Sequence, residues 1–177
     1  MKRTLSQKTA ISALMCAQAI VISLLEGLIP TGSFMPPGAK IGFSNIVTMF
    51  CAETLGVKYA FCVTLFKAMF AFLTRGVTAG IMSFAGGILS TALMCLLIKI
   101  KSLDIGYVGI AVSSAICHNA AQLAVSVFVS GTPEIMIYSP VLFTVSIITG
   151  VLTGIILKII MPVLLKENKI LTKGLEK

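Results

Sequence analysis

Charge is what this sequence has least of. Only 11% of its 177 residues are Asp, Glu, Lys or Arg, and just six are acidic. A soluble domain of this size needs many more charged residues on its surface, which excludes water as the solvent for most of this one. Cysteine pairs are missing too. Cys16, Cys51, Cys62, Cys95 and Cys117 all lie inside apolar runs, and none forms a CxxC motif. Neither a zinc knuckle nor a dithiol redox centre is supported, and the five read as small packing residues. There is no P-loop, so the chain does not hydrolyse ATP by itself. Nothing in the pattern calls for a metal ion or a cofactor.

What is present is hydrocarbon. Hydrophobic residues make up 57% of the chain and its mean hydropathy is +1.04. They gather in six runs, 8–29, 41–55, 57–73, 81–100, 107–129 and 139–165. Such runs read as transmembrane helices. The expected fold is an all-α integral membrane protein, a compact bundle of about six transmembrane helices forming one domain over 1–177. The breaks fall at residues that end helices: Pro30, Pro36, Pro37 and Gly38, then Gly56, Gly76 with Gly80, Gly106, and Gly131 with Pro133. The second run is short for a span and must be tilted or partly buried. Met1-Lys2-Arg3 before an apolar run resembles a signal peptide. That run is long enough to span a bilayer and opens a series of similar ones, so it reads as an uncleaved first helix.

The net charge of +8 does not point to nucleic acid, because the basic residues sit at the chain ends and in short gaps between apolar runs. Placing the N-terminus inside puts Lys2, Arg3, Lys8, Lys58, Lys99, Lys101, Lys158, Lys166, Lys169, Lys173 and Lys177 on the cytoplasmic side. The other side receives only Lys40 and Arg75, with Lys67 inside a run. Eleven against two is the bias of a cytoplasmic-membrane protein with both termini inside.

A charge in the hydrocarbon region costs about 2.5–3.5 kcal/mol even on the mildest scale, so the few polar residues inside the runs call for a reason. With this orientation Lys40, Asn45, Lys67, Arg75, His118 and Gln122 all fall between the midplane and the outer surface, and Asn119 adjoins His118. Three runs, with Lys40 and Arg75 in the gaps beside them, thus contribute polar groups to one half of the bundle, which predicts a shared outward-facing pocket for an anionic or carbonyl-rich ligand. The bland alternatives are hydrogen bonding between helices for His118, Asn119 and Gln122, and an ion pair of Lys67 with Glu26, the one acid in the outer part of a helix. Small residues at Ala13 and Ala17, Gly86 and Gly87, and Gly150 and Gly154 let helix backbones approach closely, either within the bundle or against a partner.

Four blocks carry a family resemblance: Gly27-Leu28-Ile29-Pro30, Pro37 through Thr48 (PGAKIGFSNIVT), Ser83 through Ser90 (SFAGGILS), and Ala115 through Leu123 (AICHNAAQL). They resemble the bacterial family labelled both Gx transporter and heptaprenyl diphosphate synthase component I. That family is in turn similar to the substrate-binding (S) components of energy-coupling factor (ECF) transporters. The resemblance implies an S-component-like bundle, a first loop capping the pocket, and an Ala-x-x-x-Ala surface on the first helix, matched by Ala13 and Ala17. That surface would meet an ECF transmembrane coupling subunit and, through it, the ATPases. Chain-elongating prenyl transferases use aspartate-rich motifs to hold magnesium, and this chain has a single aspartate, Asp104, so it is not expected to be an enzyme.

The leading expectation is therefore a membrane-embedded substrate-binding component of an ECF-type uptake transporter for a small vitamin-like or quinone/isoprenoid-precursor molecule. Its binding residues would be Lys40, Asn45, Lys67, Arg75, His118, Asn119 and Gln122. The alternative is a non-catalytic membrane accessory subunit, component I, of heptaprenyl diphosphate or menaquinone side-chain synthesis. A stand-alone secondary transporter ranks third, for want of an inverted repeat.

Overall fold

The computed structural model describes residues 5–28, 42–100 and 105–174, with side chains described as far as 162. Each apolar run becomes a helix, because hydrocarbon leaves the backbone no other way to satisfy its N–H and C=O groups. The described helices are α1 (Leu5–Leu28), α2 (Asn45–Thr54), α3 (Val57–Arg75), α4 (Val77–Lys99), α5 (Tyr107–Ser130) and α6 (Ser139–Gly174), with a 3-10 turn, Pro133–Tyr138, leading into α6. Five are long and apolar enough to cross a membrane: α1, α3, α4, α5, and the 3-10 turn with α6. They present a wide apolar exterior, including Leu65, Phe66, Leu89, Phe128, Ile148 and Ile159. The second run differs from the others. α2 has ten residues, about 15 Å of helix against a hydrocarbon core of roughly 30 Å, so it does not reach across.

The breaks are tighter than the glycine pattern implies. Gly56 at φ +101° and Gly76 at φ +88° are the single residues outside helical geometry at the two ends of α3, Leu55 before Gly56 keeping a right-handed helical backbone. Only glycine takes such angles without strain. α4 therefore starts at Val77, ahead of the expected 81. At the far end α6 runs past Pro162 to Gly174, beyond the expected 165.

Consecutive long helices pack side by side, α3 on α4, α4 on α5 and α5 on α6, while α1 closes against α3. α2 lies among the rest and touches α1, α3, α4 and α6. Two apolar cores flank it. One gathers Met49, Ala52, Met94, Ile110, Leu157 and Met161; the other joins Val47, Cys51 and Leu55 to Ala19 and Val63. Four buried hydroxyls are served by their own helix: Thr64 donates to the Ala60 carbonyl, Ser146 to Leu142, Thr149 to Val145 and Thr153 to Thr149.

The small residues of α6 face inward. A Cβ on Gly154 would stand 2.4 Å from the Val108 Cα, and one on Gly150 would stand 2.5 Å from the Val112 Cα. The two helices thus meet backbone to backbone, as small-xxx-small spacing permits. Gly87 packs in the same way on the Thr64 methyl group. Gly154→Leu is expected to force α5 and α6 apart and destabilise the protein by about 1–3 kcal/mol, read as a lower thermal midpoint in detergent. An unchanged midpoint would show that this contact is dispensable.

Candidate functional site

The site grows from the start of α2. The chain turns at Gly42, φ +97°, and the turn closes through Asn45 N–H to the Gly42 carbonyl and Ile46 N–H to the Phe43 carbonyl, both 3.0 Å. Helix starts leave backbone donors unsatisfied and carry partial positive charge. Here a carboxylate answers that need. Glu26 of α1 accepts a hydrogen bond from the Phe43 backbone N–H and another from the Ser44 hydroxyl at 3.5 Å. A negative side chain from one helix thus anchors the start of another, although Glu26 is only 5% exposed.

Two cations share that acid. Lys67 of α3 is 5% exposed, donates from Nζ to Asn45 Oδ1 at 2.9 Å, and is attracted electrostatically by Glu26. Arg75, eight residues further along α3 and so about 12 Å away along the axis, is attracted by the same carboxylate. It lines a cavity of about 170 Å³ with Ser23, Gly27, Leu28, Phe70 and Thr74. The Lys67–Glu26 pairing, one of the two readings open at the outset, thus has an electrostatic basis.

His118 joins the cluster from α5. Gly42 packs beside both Asn45 and the His118 ring: a Cβ there would meet Asn45 Nδ2 at 3.3 Å and His118 Cδ2 at 3.7 Å. Gly86 of α4 closes the other side, where a Cβ would meet the His118 carbonyl at 2.9 Å and Gln122 Cγ at 3.0 Å. The ring bridges two partners, with Nε2 2.9 Å from Gln122 Nε2 and Nδ1 3.4 Å from Ser90 Oγ, while Ser90 donates to the Gly87 carbonyl at 3.1 Å. These contacts are mutually consistent for a neutral imidazole with its proton on Nδ1. Gln122 then donates to Nε2 and Nδ1–H donates to Ser90.

The described structure therefore brings together Asn45, Lys67, His118 and Gln122, with Arg75 tied in through Glu26. Asn119 does not join them. Neighbouring positions on a helix differ by about 100°, and Asn119 faces α6 instead, donating to Ser146 Oγ at 2.8 Å. Its placement follows the helix–helix hydrogen-bonding reading. Lys40 lies outside the described residues. The residues that sequence reasoning did not assign to the site are Glu26 as the anchor of α2, and Gly42, Gly86 and Ser90. A positive-φ glycine ahead of a helix and a glycine one residue before another were the available signals, but neither names its neighbour.

The cluster retains donor capacity. Asn45 Nδ2 is buried and without a hydrogen-bond partner among the described residues, as is the Thr48 hydroxyl one turn further along α2. Ammonium and amide donors such as those of Lys67 and Asn45 are of the kind that pair with the oxygen atoms of an anion or a carbonyl group. The one acid of α2, Glu53, lies eight residues and about 12 Å along the helix from Asn45, so the acids do not gather here.

A family model describing heptaprenyl diphosphate synthase component I matches residues 15–160. The chain belongs to that family. The match spans every described residue of the cluster. No curated protein and no solved structure matches the chain. The wider likeness to S components, expected from the four sequence blocks, has no counterpart among these findings.

If Glu26 neutralises Lys67, removing it leaves a bare cation in hydrocarbon. Glu26→Gln is expected to destabilise the protein by about 2.5–3.5 kcal/mol, and Lys67→Met in the same chain should recover much of that loss. A double-mutant cycle on unfolding free energy in nanodiscs measures the coupling; strictly additive effects would show that the two charges are independent.

Proposed function

We propose that this chain is the membrane-embedded, non-catalytic subunit of a heptaprenyl diphosphate synthase, working beside a partner that carries the metal-dependent chemistry. The family match over 15–160 carries this reading. The residue inventory agrees with it. Elongation on a diphosphate needs several carboxylates around magnesium, whereas this chain has one aspartate, and Glu26 is occupied in anchoring α2. In this reading the chain resides in the cytoplasmic membrane with both termini inside, and its lysine-rich ends face the partner. The cluster of Asn45, Lys67, Arg75, His118 and Gln122, with Lys40 preceding the turn, receives the anionic or carbonyl part of a ligand.

A second reading, a substrate-binding component of an ECF-type uptake system, draws on α1. Ala13 and Ala17 are both exposed, so their side chains are not consumed by packing inside the bundle. That leaves a smooth surface for a coupling subunit. The donor-rich cluster would serve a vitamin-like or isoprenoid-precursor ligand equally well.

Purification of the tagged chain in mild detergent from its own cells separates the two. A soluble prenyl synthase should be recovered with it, and heptaprenyl diphosphate formation should fall in cells lacking the chain. Recovery of a pair of ATPases with a membrane coupling subunit, and no synthase, would overturn the first reading in favour of the second. Ala13→Leu with Ala17→Leu should then abolish that recovery. Orientation is checked by single cysteines in a background stripped of the native five: one at Lys158 should be shielded from an impermeant maleimide in intact cells, and one at Arg75 labelled.

A further inference from the structure

Beneath the donor cluster, the four helices that build it change character in step. One turn along each, toward the bundle end where α2 passes into α3, stands a hydroxyl. Thr48 follows Asn45 on α2, Thr64 precedes Lys67 on α3, Thr91 follows Gly87 on α4 and Ser114 precedes His118 on α5. Each of the four is 1% exposed. One turn further on, Ala52, Ala60, Met94 and Ala111 of the same four helices belong to a single apolar core, so the four faces converge. Donors, hydroxyls and an apolar floor therefore succeed one another in layers. The hydroxyl layer is only half satisfied. Thr64 spends its proton on the Ala60 carbonyl, so it accepts in its 2.8 Å contact with Thr91. Thr48 and Ser114 have no hydrogen-bond partner among the described residues, and neither does Asn45 Nδ2 above them. Packing does not call for these hydroxyls, because Val and Ala occupy nearly the same space without a desolvation cost.

We infer that the hydroxyl layer is the inner end of a two-level ligand site, and that its ligand is a small water-soluble molecule with two polar parts. An anionic or carbonyl oxygen meets Lys67 and Asn45, and a neutral hydroxyl, carbonyl or amide about 5 Å deeper meets Thr48 and Ser114. The inference rests on the ligand role proposed for the donor cluster, and it adds the second recognition element and the class of molecule. A hydroxyl both donates and accepts, so Thr48 and Ser114 match a neutral polar group of either kind. A cation does not suit them, since they carry no charge and lie one turn from the Lys67 ammonium. An apolar tail does not suit them either, because it would leave both hydroxyls buried and unpaired. The floor of Ala52, Met94 and Ala111 closes the site below.

The test needs no natural ligand. The full chain in nanodiscs, keeping only Cys51 of its native cysteines, receives Thr48→Cys or Ser114→Cys. Each variant is treated with two thiol reagents of similar size, anionic sulfonatoethyl methanethiosulfonate and cationic trimethylammonioethyl methanethiosulfonate, and modification is read by intact-protein mass. Both positions should react, and about tenfold faster with the anionic reagent, whose sulfonate rests at Lys67 while its reactive sulfur reaches the hydroxyl layer. Cys51, buried in the other apolar core of α2, should stay unmodified. Lys67→Gln, which keeps a donor for Asn45, should remove the preference for the anion. Ser90→Cys reports on the level of the cluster itself. Reaction there without reaction at either deeper position sinks the hydroxyl layer alone; no reaction at any of the three sinks the ligand role of the cluster as well. A preference for the cationic reagent would overturn the ligand class. The unmodified chain supplies a check that depends on no variant. Hydroxyl-radical footprinting should oxidise Met49 and Met94, beside the hydroxyl layer, severalfold ahead of the equally buried Met161, and equal protection of all three would overturn the inference.

Discussion

A lysine ammonium held at 5% exposure inside a membrane bundle is the constraint around which the rest is arranged. Hydrocarbon offers such a group no solvation, so the protein must supply an acceptor and a countercharge. Asn45 supplies the first and Glu26 the second. Both obligations reach across the structure, because Glu26 belongs to α1, Lys67 to α3, and Asn45 opens α2. Satisfying one charge therefore draws three helices together, and the same carboxylate holds the Phe43–Ser44 turn.

That arrangement explains why a helix of ten residues persists in the middle of a bundle of long ones. Short helices are marginal by themselves. α2 is held at its start by Glu26 and Lys67, and along its length by apolar packing on α1, α3, α4 and α6. Around its start, Lys67 of α3 meets Asn45, and Gly42 packs against the His118 ring of α5.

Much of the fold was legible in the sequence, since hydrophobic runs of about twenty residues have few alternatives in lipid. The second run was the exception. Its apolar residues extend from 41 to 55, yet the helix forms only over Asn45–Thr54, because Gly42 at φ +97° turns the chain instead of continuing it. The clustering was legible in residue type. Asn45, Lys67, His118 and Gln122 are together, while Asn119 turned out to serve α6. Adjacent residues in a sequence look equivalent, but on a helix they face different neighbours, and which neighbour stands on which side is a property of packing.

The sequence by itself determined that the chain is helical and membrane-embedded, through its scarcity of charge and the length of its apolar runs. It also determined that polar groups such as Lys67 and His118 would need partners, because unsolvated charge and hydrogen-bonding groups are costly in hydrocarbon wherever they lie. Only the tertiary structure decided who those partners are. Glu26 meets the turn before α2, Gly42 and Gly86 flank the His118 ring, and Ser146 takes Asn119. These contacts join residues far apart in the chain, and they depend on how closely each pair of helices packs and at what rotation, which periodicity along a single helix does not encode.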